Sequence, residues 1–164
     1  MTEMRHLKDK EAKQLLRDFI QRYPSFAHLF GSGKDIGEQA VSEGTVYFVN
    51  GKPWIVRTKF GLLPSLMFDG VIASLPKVVV DMGAVAHVAN GANVMRPGVK
   101  EIRNDFAKGD LLLIVDEKFG KNIALGQADM DSVMMKSMSK GKVIANLHYV
   151  GDELWKTMSA SKAP

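Results

Sequence analysis

The chain has 164 residues, enough for one ordinary domain or two small ones, and its 46% apolar and 24% charged side chains support a packed core rather than disorder. The formal net charge is +4, with ten basic and eight acidic residues in 1–76 and twelve and ten in 77–164; neither half is a basic tail, and an anionic partner is permitted without being required. With no cysteine, disulfides and thiolate metal sites are excluded.

The start, Met1-Thr2-Glu3-Met4-Arg5-His6, is polar and leads into no apolar signal segment. Residues 7–23 then carry a helical period. Ala12, Leu15, Leu16, Phe19, Ile20 and Tyr23 fall on one stripe, and Pro24 ends it. The opposite face, with Lys10, Lys13, Arg17 and Asp18, reads as solvated. Residues 26–43 are punctuated by Gly31, Gly33 and Gly37 and give no clear element. Next comes a hairpin: Thr45-Val46-Tyr47-Phe48-Val49, the turn pair Asn50-Gly51, and Trp54-Ile55-Val56-Arg57-Thr58. Pro53 suits an edge or the start of a strand. A short helix is expected from Pro64, with proline in its first turn.

The texture changes after Leu75-Pro76. Short strands alternate with glycine turns at 78–81, 93–95, 111–116, 123–128 and 143–147, the pattern of a small barrel or sandwich. Two short helices interrupt them, at 84–89 and from Asp131-Ser132 through Met138. Met130, Met134, Met135 and Met138 read as core or interface filling. The longest apolar runs, such as 111–115, are too short to cross a bilayer, so a cytoplasmic chain without membrane association is expected.

Within 78–98, a β-branched strand ends at Asp81, Gly83-Ala84 opens a helix of two turns, and Gly91-Ala92 closes it. Glycine at both ends lets another backbone come close, and free N–H groups at a helix start favour phosphate. Asp81 reads as the cap of that helix and Asp110 as a turn residue. Arg96, Lys100 and Arg103 follow nearby, and Lys140 and Lys142 flank Gly141. On the residues alone, this is equally a tightly packed turn. His148-Tyr149 with Asp152 and Trp155 reads as a barrel closure with Trp155 as an apolar plug.

The ordered motifs carry more. Val80-Asp81-x-Gly83-Ala84 leads to Val88-x-x-Gly91-Ala92-x-Val94-Met95-x-Pro97-Gly98-Val99. Phe106-x-x-Gly109-Asp110, Ile123-Ala124-x-Gly126, Lys140-Gly141-Lys142-Val143 and His148-Tyr149-Val150-Gly151-Asp152-x-Leu154-Trp155 follow. Together they resemble the PUA domain, named for pseudouridine synthase and archaeosine transglycosylase. Arg5-His6-Leu7-Lys8, the helix after it, Val46-Tyr47 and Pro64-Ser65-Leu66 resemble the pre-PUA domain of the malignant T-cell amplified sequence family, which in archaea comprises translation-associated RNA-binding proteins. That family usually has threonine where this chain has Ser65, and the hydroxyl is kept. The likeness is weaker over 26–43.

The resemblance implies an α+β fold: an N-terminal α+β pre-PUA domain over 1–76, a PUA β-pseudobarrel with short helices over 77–158, and a flexible tail over 159–164. It implies binding of structured RNA, the tRNA acceptor region or small-subunit rRNA, at the ribosomal subunit, with a density-regulated-type protein as a partner in eukaryotic relatives. Carried over residue by residue, the RNA surface comprises Gly83, Ala84, His87, Gly91, Ala92 and Arg96, with Lys100, Arg103 and Lys142 beside it. For the glycines, turn geometry is an equal role; His87 is a base contact or an ordinary packed or surface histidine; Arg96 is the leading phosphate contact. A substrate-delivery accessory for a separate RNA-modification enzyme and a protein-interaction adaptor are the alternatives. No catalysis, cofactor or metal is expected. The chain lacks the phosphate-loop, dinucleotide and nucleophile-elbow motifs, and His6, His28, His87 and His148 lack ligand spacing.

Overall fold

The computed structural model describes residues 3–31 and 34–161, which divide into two units, 1–73 with 153–164 and 74–152. The sequence reading placed residues through 158 with the second unit. The C-terminal helix Glu153–Ala160 instead belongs with the first, where Glu153 accepts from both the backbone N–H (2.8 Å) and the hydroxyl of Ser42. Ser159 and Ala160, expected in a frayed tail, close that helix; 162–164 of that tail and Gly33 of the unread segment lie outside the described residues.

In the first unit the described strands order as β1 (Arg5–His6), β2 (Ile36–Val41), β3 (Gly44–Val49), β4 (Lys52–Thr58) and β5 (Gly61–Pro64), all antiparallel. The predicted helix is α1 (Asp9–Arg22), which buries Ala12, Leu15 and Phe19 and leaves Lys10, Lys13 and Arg17 in solvent. Arg5 grips both sides of this arrangement. Its guanidinium meets Glu38 of β2 at 2.7 Å and Glu11 of α1 at 3.0 Å, while Glu11 also accepts from the Lys8 N–H. The Arg5 bond, then the Lys8 N–H, pull the Glu11 carboxyl down to about 2.

Asn50 and Gly51 both have positive φ, 51° and 84°, as the expected type I′ turn requires. β4 runs between β3 and β5, so Pro53 is not on an edge but at the start of its strand, as the other expectation had it, opposing Phe48 where the register slips. Pro64 does not begin a helix. It ends β5 opposite Ile55, and the ladder continues past it because Ser65 donates its N–H to the Trp54 carbonyl (2.8 Å) and its hydroxyl to the Pro53 carbonyl (2.5 Å). The helix comes later, as α2 (Asp69–Ile72). Phe68 packs flat on Trp54 with centroids 4.4 Å apart and meets Phe30 edge-on at 5.8 Å.

In the second unit β6 (Lys77–Val80) leads through α3 (Met82–Val88) to β7 (Val94–Met95), and the 3-10 turn Arg96–Gly98 leads on to β8 (Val99–Ile102). β9 (Leu111–Asp116), β10 (Asn122–Ala128), α4 (Ser132–Ser137) and β11 (Lys142–Tyr149) complete it. The described strands run in the order β7-β11-β10-β9-β6-β8. The two edge strands are neighbours in the chain, separated only by the 3-10 turn, so the sheet curls into a nearly closed pseudobarrel. Val78, Val80, Leu112, Ile114, Ala124 and Ile144 fill it, with Met135 buried beside them and Met130 and Met138 packed against them. Met134 is exposed, so of its two expected roles, core or interface filling, it does not fill the core.

Candidate nucleic-acid interface

The residues singled out around α3 surround a groove of about 520 Å³. One wall is the face of α3 carrying Ala84, His87 and Val88; the other is Asn93-Val94-Met95 with Pro97 and Gly98. The groove is narrow because Gly98 lets the 3-10 turn approach the helix: a Cβ there would sit 2.8 Å from the Ala84 Cβ. Asp81 locks the base of the groove. Its side chain accepts from the Ala84 N–H at 2.7 Å, and its own N–H donates to the Gly98 carbonyl at 2.9 Å, as its capping role anticipates.

The other end of α3 is held by a residue that drew no notice in the sequence, Asn146 of β11. Its amide donates to the carbonyls of Val88 (3.1 Å) and Ala92 (3.0 Å), and its N–H donates to the Asn93 side chain (2.9 Å). The signal for it is weak: an asparagine inside an apolar strand, where a buried amide must find partners.

The site residues separate into three groups. Ala84, His87 and Ala92 line the groove. Gly83 and Gly91 do not. Gly83 is exposed at the helix start, where an added Cβ would meet only the Asp81 carboxylate, at 3.3 Å. Gly91 has φ 93° and sits under the Tyr149 ring, where a Cβ would come within 3.1 Å. Its glycine is needed for the turn itself. The cations also lie outside the groove. Arg96 donates Nε to the Met135 carbonyl (2.7 Å) and Nη1 to the Val99 carbonyl (3.3 Å), tying the turn to α4. Lys100 is exposed on β8, Arg103 lies 3.3 Å from Glu101, and Lys142 lies 3.6 Å from Asp129.

The start of α3 is not an open phosphate cradle. The Met82 N–H is taken by Glu117 at 2.8 Å and the Ala84 N–H by Asp81, so two carboxylates occupy the helix end that was expected to carry free donors. Along the open length of the groove Met95, 51% exposed, offers an apolar contact on the wall opposite α3.

His148 and Asp152 form a structural pair. Both are buried, 2.6 Å apart, and the same carboxylate oxygen accepts the Tyr149 N–H at 3.0 Å, fixing the turn after β11. Trp155, expected as an apolar plug, lies on the C-terminal helix, which groups with the first unit. Among the described residues no three metal-ligating side chains cluster, and no helix is long and apolar enough to cross a membrane.

A small curled sheet with a groove between a short helix and its edge turn defines a compact β-barrel module of a recognisable class. Residues 76–150 match the PUA domain, an RNA-binding domain. Over 152 residues the chain is 30% identical to an uncharacterized protein of Methanocaldococcus jannaschii, covering 91% of this chain and 93% of that one. It is 32% identical over 117 residues to translation machinery-associated protein 20 of Saccharomyces cerevisiae, covering 67% of this chain and 65% of that protein. A solved structure, a conserved PUA domain protein from Thermoplasma acidophilum, aligns with a TM-score of 0.66 at 28% identity, covering 95% of this chain and 99% of that one. The chain belongs to one family with the Methanocaldococcus jannaschii protein, carries a PUA domain over 76–150, and is related over part of its length to the translation machinery-associated protein.

Proposed function

We propose that this protein is a non-catalytic RNA-binding accessory of translation in the cytoplasm, and that it receives structured RNA, the tRNA acceptor region or small-subunit rRNA, along the groove between α3 and β7. The observation that carries the reading is the groove itself, a recess about 520 Å³ in volume whose narrowness depends on Gly98. It is wide enough for a strand end or an unstacked base. Exposed His87 and Met95 offer one polar and one apolar contact on opposite walls. Lys100, Arg103 and Lys142 lie outside it and are in reach of a longer backbone, so affinity falls with salt as phosphate contacts are screened. The likeness to a translation machinery-associated protein supports a role in translation; work at the ribosomal subunit with a density-regulated-type partner is the finer part of the proposal.

The test places negative charge in the groove at two exposed positions. His87→Glu combined with Ala92→Glu weakens tRNA binding about tenfold to thirtyfold, since each new charge a few ångströms from a phosphate costs about 1 kcal/mol in water. The circular-dichroism melt stays within a few degrees of wild type. Filter binding that is unchanged by the double substitution overturns the groove as the RNA site. Recovery of a modifying enzyme with the chain, in place of ribosomal subunits, favours a substrate-delivery role.

A further inference from the structure

The turn between β9 and β10 carries a second arrangement suited to RNA. Phe119 stands 67% exposed at its tip, the ammonium of Lys118 lies 5.2 Å from its ring centroid, and that of Lys121 lies 5.8 Å away. An exposed phenylalanine alone says little. Three further observations make this one specific.

The tip is rigid. Asp116, only 5% exposed, accepts the N–H groups of Lys118 (2.9 Å), Phe119 (2.5 Å) and Lys121 (3.0 Å), and Gly120 takes φ 66° to complete the turn. These bonds, led by that of Phe119, also hold the Asp116 carboxyl below its usual range. The ring is therefore presented on a framed turn rather than left on a loose loop.

The two acids of the hairpin balance the two lysines in charge but are not paired with them. Both acids of the hairpin are engaged with backbone donors, Asp116 within the turn and Glu117 on the Met82 N–H. Among the described residues neither lysine forms an ion pair. An exposed ring with two ammoniums near it and no ion pair on either suits a base with its adjoining phosphates.

The position is right as well. β6 and β9 are parallel, with Val80 opposite Asp116 and the Glu117 N–H donating to the Val80 carbonyl at 3.0 Å. The hairpin tip and the start of α3 thus leave the sheet at the same end, and Glu117 joins them through Met82.

We propose that the β9–β10 tip is a second RNA contact, in which Phe119 stacks on an unpaired base and Lys118 and Lys121 take the adjoining phosphates. This rests on the groove being the main RNA site. Stacking is sequence-tolerant, so the tip adds affinity for unpaired nucleotides without choosing among them.

The experiment uses the full chain with two RNA hairpins of the same stem, one blunt and one with a four-nucleotide 3′ tail carrying 2-aminopurine. Phe119→Ala weakens binding of the tailed hairpin about tenfold, leaves the blunt one unchanged and abolishes quenching of the 2-aminopurine. Phe119→Trp restores both signals, and Phe119→Leu, apolar but without a π face, does not. If Phe119→Ala leaves the tailed hairpin unaffected while His87→Glu/Ala92→Glu weakens both RNAs, the stacking contact is overturned and the groove stands. Equal loss on both hairpins also overturns it, since the contact then does not depend on an unpaired base. A wild-type chain that binds neither RNA overturns groove and tip together.

Discussion

The two units differ in how their aromatic rings are used, and far less in how their basic side chains are paired. In the first, Arg5 is paired with Glu11 and Glu38, Arg22 donates to the Phe60 carbonyl at 2.9 Å, and Arg57 donates to the Tyr47 hydroxyl at 3.1 Å, while Lys10, Lys13 and Lys52 have no ion pair among the described residues. In the second, Arg103, Lys136 and Lys142 lie against Glu101, Asp105 and Asp129, while Lys100, Lys118, Lys121 and Lys140 have no ion pair among the described residues. The aromatics divide more clearly: Phe19, Phe30, Trp54 and Phe68 face one another in the first unit, while Phe119 of the second faces solvent with the ammoniums of Lys118 and Lys121 beside it. The nearly even charge balance of the halves therefore says little, and it is the ring placed beside unpaired cations that distinguishes a surface for an anionic partner. Of the apolar rings that an adaptor surface would use in the first unit, Trp54 is stacked on Phe68, and Phe60 is a single 39% exposed ring with the Lys59 ammonium 5.2 Å from its centroid.

Arg96 sharpens the comparison, because it is a cation of the second unit whose donors are spent on backbone carbonyls. Arg96→Met is expected to cost about 2 kcal/mol of stability in chemical denaturation, from losing charge-assisted bonds to the Met135 and Val99 carbonyls. RNA affinity of the folded protein is expected to change severalfold at most. Unaltered stability with a large loss of RNA affinity would return Arg96 to the interface, where its sequence position alone puts it.

A smaller effect belongs to the paired cations of the first unit. Glu11 has its folded pKa held at about 2, below the 4.5 of the free side chain, so the stability it contributes is present above pH 4.5 and is lost as pH falls toward 2. Glu11→Gln is expected to flatten that part of the acid-stability curve. An unchanged slope between pH 4.5 and 2 would show that the exposed Arg5 network contributes nothing measurable.

Much of this fold was legible where one local signal dominated. The α1 stripe, the Asn50-Gly51 turn and the fully apolar β9 needed no tertiary information. β2 was not legible because Ile36-Gly37-Glu38-Gln39-Ala40-Val41 neither alternates nor concentrates β-branched residues; β3 supplies its register. β8 was hidden by Lys100 and Glu101, which suit an edge strand but read as a loop. Pro64 misled because its proline signal was local, whereas Ser65 restores the ladder through contacts made only in the folded sheet. For the site, the motifs led to the neighbourhood of the groove but did not separate its walls from its supports. Gly91 and Arg96 have their partners in Tyr149 and Met135, about forty to sixty residues onward. No local pattern encodes those contacts.

The most direct test of the account is to titrate tRNA into the isotopically labelled full chain and follow its backbone amides. The account predicts that Ala84, His87 and Ala92 through Met95 shift first, with the tip around Phe119 following when the RNA has an unpaired end, and that residues of α1 and β2 through β5 stay in place. Shifts confined to the first unit, or a groove that stays silent while tRNA binds, would contradict it.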